Sequence, residues 1–226
     1  MHLKIMTFNI HRAEGMDGRT DLGRIAEVIR RSGADVAALQ EVDRYQPRSG
    51  WKDQIKLLAR ELGMQSAFAP SLNLRFLQYG NGLLSRFPIL EQSFSFMPGL
   101  TERRSVLKVR LSVEGRELTV VNTHLGVAER ERRKQVPLLM RSLEEVKGPA
   151  VLLGDFNMGA GNRLMKPIEE HWAKVHLQRQ MKTLVYGGEI DHVLVTPGIT
   201  AKAWVTETDA SDHYPVTAEM VVHRQG

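Results

Sequence analysis

Six times in this chain an apolar run meets a polar cluster, and that repetition constrains the fold more than any other feature. Val151-Leu152-Leu153 runs into Gly154-Asp155-Phe156-Asn157, Ile190-Asp191-His192 opens a run through Val195, and Ser211-Asp212-His213 leads into Tyr214-Pro215-Val216. Nearer the N-terminus, Lys4 to Phe8 ends at Asn9, Val36 to Leu39 at Gln40-Glu41, and Val120-Val121 at Asn122-Thr123-His124. Short apolar runs bounded in this way read as buried strands. A carboxylate at the end of one is costly unless it meets a metal, a charge or a substrate. The strands are therefore expected to share a sheet rim, with their polar ends pooled into one acidic, histidine-containing site.

The donor types narrow the chemistry. Carboxylates and amides with two or three histidines, in a chain without cysteine, suit a hard divalent cation such as Mg2+ or Mn2+. Zinc fits less well, because neither HExxH nor CxxC occurs. The lack of cysteine also removes disulfides and thiol chemistry.

Taken in order, Asn9, Gln40-Glu41, Thr123-His124-Leu125, Gly154-Asp155-Phe156-Asn157, Ile190-Asp191-His192 and Ser211-Asp212-His213 resemble the endonuclease/exonuclease/phosphatase superfamily. Asp21 to Ala26, Ala34-Asp35-Val36 and Gly80 to Ile89 look like its small bacterial members. The resemblance runs from about Ile5 to Val216. It implies an α/β fold, a four-layer sandwich of two stacked mixed β-sheets flanked by helices, with the site at one sheet edge. It also implies roles. Glu41 would be the main metal ligand, with Asn9 and Asp212 in or near the shell. Asp155 would act as base, and Asn157 would position the phosphate or the water. His213, held by Asp191, and His124 would contact the phosphate.

Local chemistry bears on these roles. Asp155 and Asn157 are two residues apart, so a tight turn lets both face one water. His213 needs a partner to hold its tautomer and raise its basicity, and Asp191 is the candidate. Neighbours on an extended strand point to opposite faces, so one of Asp191 and His192 enters the site, and Asp191 is the one expected. Asn9 would offer a neutral oxygen to the metal or orient Glu41. Asn81 and Asn122 are candidates for the substrate side. Arg103-Arg104 and the run from Arg130 to Lys134 read as solvated charges.

Leu3 to Ile10 alternates as a strand does, and Asp21 to Arg31 and Lys52 to Leu62 read as helices with Gly33 and Gly63 just beyond. Strands are expected at Gln65 to Ala69, Gly82 to Ser85 and Ile89 to Phe96. Val106 to Val113 turns through Glu114-Gly115 into Glu117 to Asn122 as a hairpin. Glu129 to Val146 reads as a charged helix, followed by strands at Val151–Gly154, Ile190–Val195, Ala201–Val205 and Tyr214–Val222. Hairpins mixed with strand–helix units argue for an α/β protein with mixed sheets. A length of 226 residues with 42% hydrophobic content fits one domain over 1–226, and no repeat or linker divides it.

Neither a leader-like start nor an apolar run of membrane-spanning length is present in the sequence, so a cytoplasmic protein is expected, as a monomer. The net charge of +5 is a weak pointer to a phosphate-bearing partner. The expected function is a divalent-metal-dependent phosphoester hydrolase, a phosphodiesterase or nuclease, with nucleic acid among its candidate substrates. A small-molecule or lipid phosphoesterase, sphingomyelinase- or inositol-phosphatase-like, is the alternative. A non-catalytic binding module is a third reading, and the intact acids and histidines argue against it. The aromatic content of 6% offers little stacking for single strands. Lys182 to Glu189 departs from the family pattern, being short and carrying Glu189 where a basic residue is common.

Overall fold

The computed structural model describes residues 1–74 and 76–223. Alternation decides its layering. Along β1 (His2–Asn9), Leu3 and Ile5 face one side, Met6 and Phe8 the other, and both sides are buried. A strand buried on both faces lies between two layers. β1 pairs in parallel with β2 (Val36–Arg44) and antiparallel with β12 (Val216–Val222). Adding β11 (Ile199–Val205), β4 (Leu77–Ser85) and β3 (Gln65–Leu74) gives a six-stranded sheet in the order β11-β12-β1-β2-β4-β3. The second sheet contains β5 (Ile89–Met97), β6 (Arg104–Val113), β7 (Arg116–His124), β8 (Ala150–Asp155), β10 (Asp191–Val195) and β9 (Ala173–Lys174), in that order. Within it only β7 and β8 run parallel.

Leu3, Ile5, Val36 and Leu83 of the first sheet meet Leu107, Val109, Val120, Leu153 and Val193 of the second in one apolar layer. The outer face of the first sheet is covered by α1 (Leu22–Ser32) and α2 (Gln54–Leu62) through Ile25, Ile29, Ile55 and Leu58. Asp21 and Asp53 cap these helices, accepting from the N–H groups of Gly23 and Lys56, and Gly33 and Gly63 end them in the left-handed conformation. The second sheet is covered by α3 (Glu129–Glu144) and the short α4 (Lys166–Glu169) through Val136, Leu139, Leu143 and Ile168. Two mixed sheets between helices make the four-layer α/β sandwich that the resemblance implied. No helix among the described residues is long and apolar enough to cross a membrane.

Two regions differ from the sequence expectation. β2 runs on past Leu39 to Arg44, and β3 and β4 also extend further, because register shifts at Leu39/Val42 in β2 and Pro70/Leu72 in β3 interrupt the alternation that marks a strand. α4 and β9 are too short to leave a periodic signal.

One polar rung crosses the apolar layer. Gln40 Nε2 donates to Thr7 Oγ1 at 3.0 Å and to Asn122 Oδ1 at 2.8 Å. Asn122 Nδ2 donates to the carbonyls of Leu39 at 3.0 Å and Gly82 at 2.8 Å. Thr7, Gln40 and Asn122 are fully buried, so the rung ties the first sheet to the second just below the rim. Asn122→Leu strands the Leu39 and Gly82 carbonyls and takes one acceptor from Gln40 Nε2, and we expect it to cost about 3 kcal/mol at one to several kcal/mol per orphaned group. A lower urea midpoint at unchanged slope is the check; a midpoint equal to wild type would mean that the rung contributes nothing.

Candidate active site

The strand parity that fills the inter-sheet layer also aims the site. Ile5, Thr7 and Asn9 share a face, as do Val120, Asn122 and His124, then Val151, Leu153 and Asp155, and finally Val195, Val193 and Asp191. At the rim each series ends in a polar residue. Register sets His124 beside Asp155 across β7 and β8, and Asp155 beside Asp191 across β8 and β10. Asn9 reaches over from the first sheet, its Nδ2 donating to Asp155 Oδ2 at 3.1 Å and to Glu41 Oε1 at 3.2 Å.

The backbone is bent to hold these groups. Gly154 has φ 147°, and a Cβ there would meet the Thr123 carbonyl oxygen at 1.9 Å, so only glycine allows β8 to lie this close to β7 just before Asp155. Glu41 and Asn157 adopt the left-handed region at φ 59° and 51°. Such conformations persist where the surroundings over-determine them. For Asn157 those surroundings are its N–H donating to Asp155 Oδ1 at 2.8 Å and its Nδ2 donating to the Leu125 carbonyl at 2.9 Å.

Asp155 Oδ2 faces three donors: Asn9 Nδ2, His124 Nε2 at 3.4 Å and His213 Nε2 at 3.8 Å. Burial, and after it the neighbouring Asp191 charge, push the Asp155 carboxyl up to about 7. His213 Nδ1 donates to Asp191 Oδ2 at 2.9 Å. Burial alone would lower this imidazole, but the charge and hydrogen bond of Asp191 overcome it and raise His213 to about 10. His213 is thus an imidazolium at neutral pH. His124 is the opposite case. Burial, then Arg104, then His213 hold it well below the usual histidine range. Arg104 Nη1 lies 3.4 Å from His124 Nδ1. A guanidinium only donates, so Nδ1 accepts and Nε2 carries the proton towards Asp155.

Arg104 departs from the solvated reading of Arg103-Arg104. Its side chain is 12% exposed and pairs with Glu102 at 2.8 Å, whereas Arg103 is exposed. The β6–β7 register gives no signal for this, because continued past Val106 and Thr123 it sets Ser105, not Arg104, opposite that histidine. Arg132, in the run from Arg130 to Lys134, is likewise buried and donates to the carbonyls of Gly126 and Val127, bracing the connection after His124.

Other candidates take definite places. Asn9 Oδ1 accepts from the His11 N–H at 3.1 Å, which orients the amide so that its NH2, rather than its oxygen, meets Glu41 and Asp155. Of the two roles open to Asn9, this geometry fits orienting Glu41 rather than ligating a metal. Asn122 does not open onto the site, and Asn81 is held beside Ser105. Asn81 Nδ2 donates to the Ser105 carbonyl at 2.8 Å and to Ser105 Oγ at 3.3 Å, and Asn122 is spent in the inter-sheet rung. Asp212 lies beside Asn9: Ser211 Oγ donates to the Asn9 carbonyl at 2.7 Å, and Asp212 Oδ1 is 3.7 Å from His11 Nδ1. His192 points to the opposite face from Asp191, its Nε2 donating to the Met158 carbonyl at 2.8 Å.

The segment from Lys182 to Glu189 folds back against the site. Tyr214 N–H donates to the Thr183 carbonyl, Val185 N–H to the Asp212 carbonyl, and Thr183 Oγ1 accepts from the N–H groups of Ile190 and Asp191. Glu189 turns away towards Lys174 and His192. Burial opposes its charge, but hydrogen bonds from His192 and Lys174 hold its carboxyl down to about 2.

The donor set fits a divalent cation. Asp155, Asp191 and His213 offer ligand atoms within 4.8 Å of one another, and Asp191 Oδ1 is buried without a hydrogen-bond partner. His213 Nδ1 is already taken by Asp191, so this ring serves better as a donor than as a ligand. Glu41 and Asp212 add anionic oxygens at the same rim, the kind that hard cations take.

Comparison with known proteins agrees with this geometry. The chain matches the model of the Endonuclease/Exonuclease/phosphatase family over residues 6–213. It is 30% identical to YbhP of Escherichia coli over 168 residues, 68% of this chain and 66% of that protein. It is 32% identical to protein cwh43 of Schizosaccharomyces pombe over 134 residues, 58% of this chain and 14% of that protein. The matches thus cover less than two thirds of either relative. A solved endonuclease/exonuclease/phosphatase structure from Beutenbergia cavernae superposes with a TM-score of 0.79 at 25% identity, over 98% of this chain and 72% of that one. With the family match running from the middle of β1 to the site histidine His213, the chain belongs to the Endonuclease/Exonuclease/phosphatase family.

Proposed function

We propose that this protein is a divalent-metal-dependent phosphodiesterase. One arrangement carries the proposal: a buried carboxyl near 7, Asp155, faced by one charged and one neutral imidazole. A hard cation, Mg2+ or Mn2+, held through Glu41 and Asp212, would neutralise charge on the scissile phosphate. Asp155, matched to neutral pH, takes a proton from the attacking water. His213 and His124 direct fixed Nε2–H donors at the space beside Asp155 Oδ2, where charge on phosphate oxygens would build up. Asp191 keeps His213 charged and oriented, and Arg104 keeps His124 in the tautomer that donates from Nε2. Asn157 braces the turn that presents Asp155. A nucleic-acid phosphodiester and a lipid one both meet these requirements.

Bis-p-nitrophenyl phosphate with Mg2+ or Mn2+ tests this reading. Hydrolysis should stop with EDTA and return with either metal. Glu41→Gln keeps the shape but removes the charge that attracts the cation, so its rate should collapse while its circular dichroism matches wild type. Activity that survives EDTA, or a Glu41→Gln variant at wild-type rate in saturating metal, would rule out the assignment.

A further inference from the structure

The large apolar side chains left exposed are distributed unevenly. Six of the twelve among the described residues stand on connections at the catalytic rim, and none stands on a connection at the opposite rim. On the first sheet, Trp51 of the β2–α2 connection lies against Phe76 of the β3–β4 turn, with ring centroids 6.4 Å apart, and Leu74 ends the strand before that turn. All three are more than half exposed. Leu100 and Val127 stand in the same way on the β5–β6 and β7–α3 connections of the second sheet. One apolar tip from each sheet thus stands at the rim that carries the polar pocket.

Each tip is accompanied by cations. Lys52 follows Trp51, while Arg130 and Lys134 line a shallow cavity of about 90 Å³ together with Leu100. Arg103 stacks over the Phe96 ring at 5.3 Å. These four cations are exposed. The Leu100 tip is fixed in place, since its N–H donates to Glu131 Oε1 at 2.7 Å.

We propose that this rim is a membrane-docking face that seats the acidic pocket against the headgroup layer of an anionic phospholipid bilayer. The role of that pocket rests on the phosphodiesterase reading above. Aliphatic tips argue against a single-stranded nucleic acid, because Leu74, Leu100 and Val127 have no ring face on which a base could stack. Aromatic and aliphatic tips beside lysine and arginine match the boundary between acyl chains and anionic headgroups. A second copy of the chain would bring like-charged tips together, whereas an anionic surface complements them.

The test is co-sedimentation of the full chain with phosphatidylcholine vesicles, with and without phosphatidylglycerol, in EDTA so that no turnover contributes. The protein should bind the anionic vesicles, less at high salt, with a blue shift of tryptophan emission. Trp172 is buried and Trp204 half-buried, so Trp51→Phe should remove most of that shift. The double variant Leu74→Ser, Phe76→Ser should lose at least about tenfold in vesicle binding and keep wild-type hydrolysis of bis-p-nitrophenyl phosphate. No binding to anionic vesicles, or equal binding by the double variant, overturns the proposal. So does a concentration-dependent dimer that the double variant abolishes, or a single-stranded oligonucleotide that displaces the protein from vesicles. If soluble hydrolysis is intact while docking fails, docking alone is lost. If wild type docks yet never cleaves the soluble diester, the phosphodiesterase reading is the one that fails.

Discussion

Asp155→Asn should leave a folded protein whose phosphodiester hydrolysis is lower by about 10³-fold or more, the combined scale of a lost general base and misdirected donors. The substitution is nearly isosteric, so the reason is electronic. Oδ2 faces Asn9 Nδ2, His124 Nε2 and His213 Nε2, while Oδ1 accepts from the Asn157 N–H. An amide cannot satisfy both sides. One orientation turns its NH2 towards three donors; the other turns it against the Asn157 N–H. Neither leaves an oxygen able to take a proton near neutral pH. Single-turnover rates with saturating Mg2+, alongside thermal melts, separate this from misfolding. A folded Asp155→Asn variant within tenfold of wild type would remove Asp155 from the role of base.

The second large effect is expected at Asp191. Asp191→Asn removes the charge that raises His213 to about 10 and can present a donor where Nδ1 needs an acceptor. Burial, then opposed only by the Asp155 and Asp212 charges, pulls the imidazole down. A raised histidine keeps its proton, and whatever depends on it, until pH climbs through the raised value. Without Asp191 that loss comes much earlier. The rate should fall by about 10²-fold or more, and the deficit should widen as pH rises through neutrality. His192→Asn should do far less to the rate, since its ring bonds the Met158 carbonyl on the other face. Should the His192 variant be the crippled one and the Asp191 variant nearly silent, the role given to Asp191 is wrong.

Strand ends were legible because the two-residue alternation of a strand persists up to the last residue. Counting back from the apolar Val193 and Val195 is enough to set Asp191 on one face and His192 on the other. The same counting was available for Asn122, two residues before His124 and hence on the same face but one step deeper. Its type suggested substrate, whereas its depth made it a brace. Arg104 and Arg132 were read as solvated because an arginine in a charged run carries no local mark of burial. Only the tertiary contacts reveal their partners. The bulge that puts Glu41 into the left-handed region leaves no signature in its neighbours either, since it answers to strand pairing rather than to propensity.

The rung through Gln40 and Asn122 also determines how the site can fail. Asn9 and Glu41 belong to one sheet, Asp155 and Asp191 to the other, so the spacing between them is set by how the sheets are registered. A register held by buried hydrogen bonds inside an apolar layer does not loosen by degrees. Heat or urea should therefore remove activity and the whole-molecule unfolding signal in one transition, with no inactive but otherwise native species between them. Adaptation to a new substrate would be confined to the surrounding connections, where a residue can change without moving one sheet against the other.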